Sequence, residues 1–283
     1  MPLPAQLYRP KKDVHKNTFG HVLILAGSRN MAGACALTSL AALRSGAGLV
    51  TIGIPASLNG IIQKKISNEI MTLPLKETKD QTISNSAWNQ LKNEINRFDA
   101  IALGPGLTIN PSTQNFILKI IGQSTQPLII DADAINALAG KTDCLNFLDT
   151  PKILTPHPGE MARLLQCPKS QLENNRREAV KSFIRKYNSC TLLLKGHETL
   201  VAHAEKKIYT NTTGNAGMAK AGCGDVLTGI IASFVAQGLM PFEAAKYGCY
   251  VHGLAGDFAS QRKSKTSMIA GDIIDELDNV FKK

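Results

Sequence analysis

The chain has 283 residues, of which 43% are hydrophobic and 19% charged, and carries a formal net charge of +10. That length can bury a substantial core as one large α/β domain or two small ones, and the composition excludes a disordered or fibrous protein. The positive charge is scattered in pairs such as Lys64-Lys65 and Arg176-Arg177, and only 5% of residues are aromatic, so no nucleic-acid partner is expected: such a partner needs concentrated charge and stacking rings.

Residues 1–14 read as a short polar, proline-bearing extension without the apolar stretch of a signal peptide. Short apolar runs then recur: HVLILAG at 21–27, LVTIGIP at 49–55, AIALGPG at 100–106, PLIIDAD at 127–133, KILTPHP at 152–158 and TLLLKGH at 191–197. Runs of this kind without alternation predict strands buried on both faces, hence a largely parallel sheet. Helix-compatible stretches lie between them, at 33–46, 111–122 and 171–188. The alternation predicts a doubly wound, mostly parallel sheet flanked by helices, spanning residues 1–283 as one domain. After residue 200, TLVAHAEKKIYTNTTG predicts an antiparallel hairpin at the sheet edge, followed by helices near 224–237, 241–260 and 270–281. No apolar run approaches the roughly 18 residues of a membrane span. The six cysteines (Cys35, Cys144, Cys167, Cys190, Cys223 and Cys249) form no CxxC pair or zinc spacing, so reduced thiols and a cytoplasmic location are expected.

In an open parallel sheet, ligands bind beyond the carboxyl ends of the strands. Five predicted strands end in residues suited to such a rim: Gly27-Ser28, Gly104-Pro105-Gly106, Asp131-Ala132-Asp133, Thr155 to Glu160, and Lys195-Gly196-His197-Glu198. The densest signal is TTGNAGMAKAGCGDVLTGIIASF at 212–234, where glycines run directly into an apolar helix. Free amides and the positive helix end suit a phosphoryl group there. Asp225 would repel an anion that is merely held, but it suits a base taking a proton from a hydroxyl that attacks phosphorus. The plainer reading makes Asp225 a helix cap. GSRNMAGACA at 27–36 lacks the GK[ST] of a Walker A loop, and GPGL at 104–107 is not a GxGxxG fingerprint.

From about His15 onward, HKNTFGHVLILAGS, AGACALTSLAALRSGAGLV, GPGL, DADAINAL, LTPHPGE, LLKGHET and GNAGMAKAGCGDVLTG occur in an order that closely resembles the ADP/ATP-dependent NAD(P)H-hydrate dehydratases, repair enzymes of ribokinase-like fold. The resemblance implies a carbon–oxygen lyase acting on the S epimer of hydrated NADH or NADPH. It would phosphorylate the ring hydroxyl from ADP or ATP with Mg²⁺, then eliminate phosphate. By the same resemblance Asp225 is the base and touches the hydrate, and Gly222, Cys223 and Gly224 present amides to the phosphoryl group. Lys195, Gly196, His197, Glu198, Thr199 and Gly224 line the nucleotide site, and Ala36, Gly106 and His157 contact the hydrate. Glu160 acts on Mg²⁺ and phosphate through water, while Asp131 and Asn136 are weaker candidates near the phosphates. Family members are commonly homotetramers, and a separate epimerase is expected to handle the other epimer.

Two departures carry expectations of their own. Cys223 stands where the family has Thr or Ser, and its place near a helix N-terminus predicts a lowered thiol pKa. Lys220 is expected to add positive charge beside the phosphates. Two other readings use the same residues: a small-molecule kinase of the same superfamily, such as a hydroxyethylthiazole or hydroxymethylpyrimidine kinase, and a nucleotide-sensing module without catalysis. The kinase would not need GPGL, DADAIN and TPHPGE together, and retention of Asp225 argues against the sensor.

Overall fold

In the computed structural model, which describes residues 1–8 and 13–282, the apolar runs become strands of one nine-stranded sheet. The strands are β1 His21–Leu25, β2 Leu49–Pro55, β3 Met71–Leu75, β4 Ala100–Leu103, β5 Leu128–Ile130, β6 Lys152–Leu154, β7 Cys190–Leu194, β8 Leu200–Ala202 and β9 Tyr209–Thr210. Their spatial order is β3-β2-β1-β4-β5-β6-β7-β8-β9. β1 to β7 are parallel, and β8 and β9 close the edge antiparallel, as the polar turn after residue 200 predicts.

The helices are α1 Ala32–Arg44, α2 Asn59–Gln63, α3 Trp88–Leu91, α4 Pro111–Gln123, α5 Ala132–Leu138, α6 Pro158–Leu165, α7 Lys169–Asn174, α8 Arg176–Lys186, α9 Cys223–Ala236, α10 Pro241–Arg262 and α11 Ala270–Phe281. They cover both faces of the sheet, which explains the unbroken apolar strands. Along β1, Val22 and Ile24 join a core with Ile230, Phe234 and Ile273, whereas Leu23 and Leu25 join the opposite core with Phe116, Ile120 and Phe183. Each such buried side chain contributes about 1.5–3 kcal/mol. α1 lies so close on α9 that a β-carbon at Gly229 would stand 2.2 Å from the Thr38 carbonyl oxygen.

β1 pairs with β2 on one side and β4 on the other, so the winding direction reverses between β1 and β4. Such a switch point opens a crevice at the strands' carboxyl ends. Here it is built by backbone: the Gly27 amide donates to Pro105 O (2.8 Å) and the Gly104 amide to Leu25 O (3.1 Å).

Three features differ from the sequence reading. β3 is an edge strand with Pro74 inside it and only Leu75 buried, so it has neither the continuous apolar run of a central strand nor clean alternation; an edge tolerates the missing donor. The helix predicted at 171–188 is two helices, broken at Asn175 (φ −134°, ψ 38°), a residue whose side chain competes for backbone hydrogen bonds. Residues 9–12 of the 1–14 extension lie outside the described residues, but Leu3 and Leu7 are buried in the first core.

Candidate active site

The strand ends converge on Asp131, the residue after β5. Its buried carboxylate accepts hydrogen bonds from Thr155 Oγ1 (2.9 Å), Thr228 Oγ1 (2.9 Å) and Lys195 Nζ (2.7 Å). These donors come from the ends of β6 and β7 and from α9, so one carboxylate ties three elements together. Lys195 Nζ also lies 3.9 Å from Glu160 Oε2. Burial alone would lower the Lys195 pKa, but the carboxylates of Asp131 and Glu160 outweigh it and hold the ammonium above the ordinary lysine value.

Gly222 precedes α9 in the left-handed region (φ 88°), and no side chain caps this helix. A β-carbon at Gly222 would stand 2.6 Å from Leu37 Cδ1 of α1, so the position demands glycine. The Cys223 amide is directed at Lys220 O (3.4 Å), whereas the amides of Gly222, Gly224 and Asp225 donate to no group among the described residues. The open donors at this helix end are therefore those three, a partial change from the Gly222–Gly224 set expected. A β-carbon at Gly224 would lie 3.4 Å from Lys195 Nζ and 3.9 Å from Asp131 Oδ2, so the helix end stands close to the ammonium and its carboxylate partner.

Asp225 is the third residue of α9 and not its cap, which removes the plainer reading. Its carboxylate accepts no hydrogen bond among the described residues. Burial first, and the Asp131 carboxylate second, push it from 3.8 to about 7, with Lys195 pulling the other way. A half-buried carboxylate of this kind can take a proton near neutral pH.

On one side of this centre lies a cavity of about 810 Å³ lined by Lys195, Gly196, His197, Glu198, Thr199 and Gly224, with the 211–216 loop opposite. All six residues expected at the nucleotide thus line one space. Two clamps that the sequence reading missed hold its walls. Arg176 of α8 donates to the carbonyls of His197 (2.6 Å), Lys195 (3.3 Å) and Leu194 (3.4 Å). Asp257 of α10 accepts from the Gly214 amide (2.9 Å) and from Asn215 Nδ2 (3.0 Å). Asp257 falls in a stretch that matches the family, but neither residue's role could be read, because a clamp distant in sequence is visible only once the chain is folded.

At the switch point the turn that carries Gly106 packs on the start of α1. A β-carbon at Gly106 (φ 66°) would stand 2.9 Å from Met31 Cβ and 3.1 Å from Ala34 Cβ at the start of α1. Ala36 is half-buried two residues beyond Ala34. His157 caps α6: its Nδ1 accepts from the amides of Gly159 (3.0 Å) and Glu160 (3.2 Å), while Glu160 Oε2 accepts from the His157 amide (2.8 Å). Burial, then Lys195, lowers the His157 pKa, so the ring is neutral at pH 7. Burial raises Glu160. Three non-glycine residues in these motifs, Thr108, Ala132 and Glu198, have φ of 75°, 49° and 54°, the kind of backbone strain that clusters at ligand sites.

Two expectations are corrected. Burial raises the Cys223 pKa, because its side chain packs into the core beneath the helix end. Lys220 donates its Nζ to the carbonyls of Thr266 (2.5 Å) and Met268 (2.7 Å), bracing the 264–268 loop rather than the phosphoryl centre. Among the described residues no three His, Cys, Asp or Glu side chains are grouped to hold a metal ion. The Lys195 ammonium occupies the space between Asp131 and Glu160 that a resident cation would need. A protein-chelated Mg²⁺ does not fit this donor set.

A parallel sheet with glycine-rich amides, a lysine and a free carboxylate at its rim defines the ribokinase-like class. A ribokinase-like superfamily protein of Enterococcus faecalis shares the fold at a TM-score of 0.83, with 28% identity over 98% of this chain and 93% of that one. The model of the NAD(P)H-hydrate dehydratase family matches residues 22–279, and the chain belongs to that family. The bifunctional NAD(P)H-hydrate repair enzyme of Moorella thermoacetica is 42% identical over 98% of this chain and 52% of its own length; the chain spans about half the length of that relative and of the other bifunctional enzymes it matches first. The ADP/ATP-dependent NAD(P)H-hydrate dehydratase of Bacillus subtilis, co-crystallized with ATP and Mg²⁺, is 29% identical, covers 99% of both chains and superposes at a TM-score of 0.80.

Proposed function

We propose that this chain dehydrates the S epimer of hydrated NADH or NADPH at the expense of ADP or ATP. The observation that carries the reading is Asp225: an unbonded carboxylate whose proton affinity is raised to about 7, beside open amides and Lys195, at the edge of a nucleotide-sized cavity. Family membership and the B. subtilis enzyme support the substrate pair.

The hydroxyl on the nicotinamide ring approaches from the Gly106, Ala36 and His157 side. Asp225 takes its proton as the oxygen attacks the terminal phosphorus of the nucleotide. The bond from phosphorus to the bridging oxygen breaks, and the nucleotide leaves one phosphate shorter. Open amides and Lys195 balance the charge on the transferred group. Phosphate is a far better leaving group than hydroxide. Ring nitrogen electrons assist its departure, and loss of a neighbouring C–H proton restores NAD(P)H. The thiol at Cys223 donates hydrogen bonds weakly, so the amides carry the phosphoryl contact.

Mg²⁺ would come bound to the phosphates of the nucleotide and neutralise part of their charge, and Glu160 would be the residue to act on it through water. No helix among the described residues is long and apolar enough to cross a membrane, and the buried or half-buried thiols support a reducing cytoplasm. Assembly as a homotetramer and a separate epimerase for the other epimer belong to the same reading. Purified protein with Mg²⁺, hydrated NADH and ADP or ATP should restore the reduced-nicotinamide absorbance, and Asp225→Ala should abolish it. A stable phosphorylated product would favour a kinase instead, and nucleotide binding without turnover a sensor.

A further inference from the structure

Arg163, the sixth residue of α6, lies outside every role assigned above. Its Nε donates to Asn136 Oδ1 (3.0 Å). Asn136 Nδ2 in turn donates to Asp133 Oδ1 (3.2 Å), and Asp133 Oδ2 accepts the Thr108 amide (2.8 Å). The guanidinium is thereby tethered across α5 to the loop that carries Gly106. It also stands beside His157: a β-carbon at Gly159 would lie 2.9 Å from His157 Cε1 and 3.8 Å from Arg163 Nη1. Among the described residues neither Nη group donates a hydrogen bond or has a carboxylate within ion-pair distance.

The nearby carboxylates are already engaged, Asp133 by Asn136 and the Thr108 amide, and Glu160 by the α6 cap. Arg163 is exposed, but it is held at Nε and leaves its outer fork open to solvent, the geometry in which guanidinium grips a phosphate through two bonds. Both hydrated dinucleotides carry a pyrophosphate, and hydrated NADPH carries a further 2′-phosphate.

We propose that Arg163 binds a phosphate of the hydrated dinucleotide, tethered by Asn136 to the switch-point loop that carries Gly106. The assignment rests on the dehydratase reading above.

Arg163→Gln tests it without unfolding the cap, since the amide can still donate to Asn136 while the charge is lost. The KM for the hydrate should rise roughly ten- to hundredfold, the loss of charge-assisted hydrogen bonds, while the KM for ADP or ATP holds. Arg163→Lys should recover part of the loss. An equal rise for both hydrates assigns the pyrophosphate, and a rise confined to NADPH hydrate assigns the 2′-phosphate. Binding of the products NADH and NADPH, followed by their fluorescence, should weaken in the same pattern. Unchanged hydrate KM, or an equal rise in nucleotide KM, overturns the assignment while leaving the dehydratase reading intact. Wild-type protein that turns over neither hydrate overturns both.

Discussion

Replacing Asp225 with asparagine should raise stability while destroying activity. The folded protein holds this carboxyl at about 7 against 3.8 in an open chain, through burial first and Asp131 second. Between those values the folded state binds a proton that the unfolded chain releases. The favourable contribution is therefore complete below about pH 4 and is lost as pH rises through 7. At pH 8 the folded protein carries a carboxylate it disfavours. The gap corresponds to at most about 4 kcal/mol, and water reaching the half-exposed group reduces this to about 1–2 kcal/mol. Asparagine carries no such pH dependence. Asp225→Asn should then unfold about 2–6 °C higher than wild type at pH 8, and at the wild-type temperature near pH 4. Its turnover should fall roughly 10²- to 10⁴-fold, as loss of a general base does. Paired melting scans across pH, followed by calorimetry or circular dichroism, read the difference directly. A variant no more stable than wild type at pH 8 would refute the reasoning, because it would mean the carboxylate is not disfavoured in the fold.

Further perturbations examine the walls and the core. Arg176→Met frees the carbonyls of Leu194, Lys195 and His197 and should raise the nucleotide KM about tenfold by loosening the turn; an unchanged KM would show that the turn holds itself. In the nucleotide-free protein the half-exposed Cys167 should react with iodoacetamide before the five buried thiols, and Cys223 labelling as fast at neutral pH would contradict the burial that raises its pKa. Gly229→Ala drives a methyl to 2.2 Å from the Thr38 carbonyl oxygen and should cost about 2–3 kcal/mol in urea unfolding; a smaller loss would mean that α1 slides on α9.

The doubly wound sheet was legible because both of its faces are buried: β1, β2 and β4 to β7 read as continuous apolar runs, and the hairpin announced itself through its polar turn. β3 was not legible, since Met71 and Pro74 are exposed at the edge and leave only short-range pattern. In the site, the strand-end motifs marked which residues meet, and the six expected nucleotide residues do line one cavity. Their relations were hidden. Thr228 reads as one more helix residue until its hydroxyl is seen on Asp131. Lys220, adjacent to the glycines in sequence, turns away to a loop 46 residues further on. Proximity along the chain overstated Lys220 and understated Asp131, whose partners lie 24, 64 and 97 residues away.

Asp131 is where stability and chemistry meet, and its replacement should show both. Asp131→Asn leaves Lys195, in a largely buried position, with Glu160, 3.9 Å away, as its one ion-pair partner among the described residues. Removing one partner of a buried pair costs more than the pair contributes, because the remaining charge stays desolvated. A loss of about 2–3 kcal/mol is expected, partly relieved by Glu160. The same change removes the second cause that raises Asp225, so the acid limb of the rate profile should move below pH 7. Thr228→Val removes one hydrogen bond to Asp131 but keeps its charge. It should lower stability by about 1 kcal/mol and leave that limb near its original pH. If Asp131→Asn does not move the limb, Asp131 is only the structural tie among β5, β6, β7 and α9, and burial alone sets the proton affinity of Asp225.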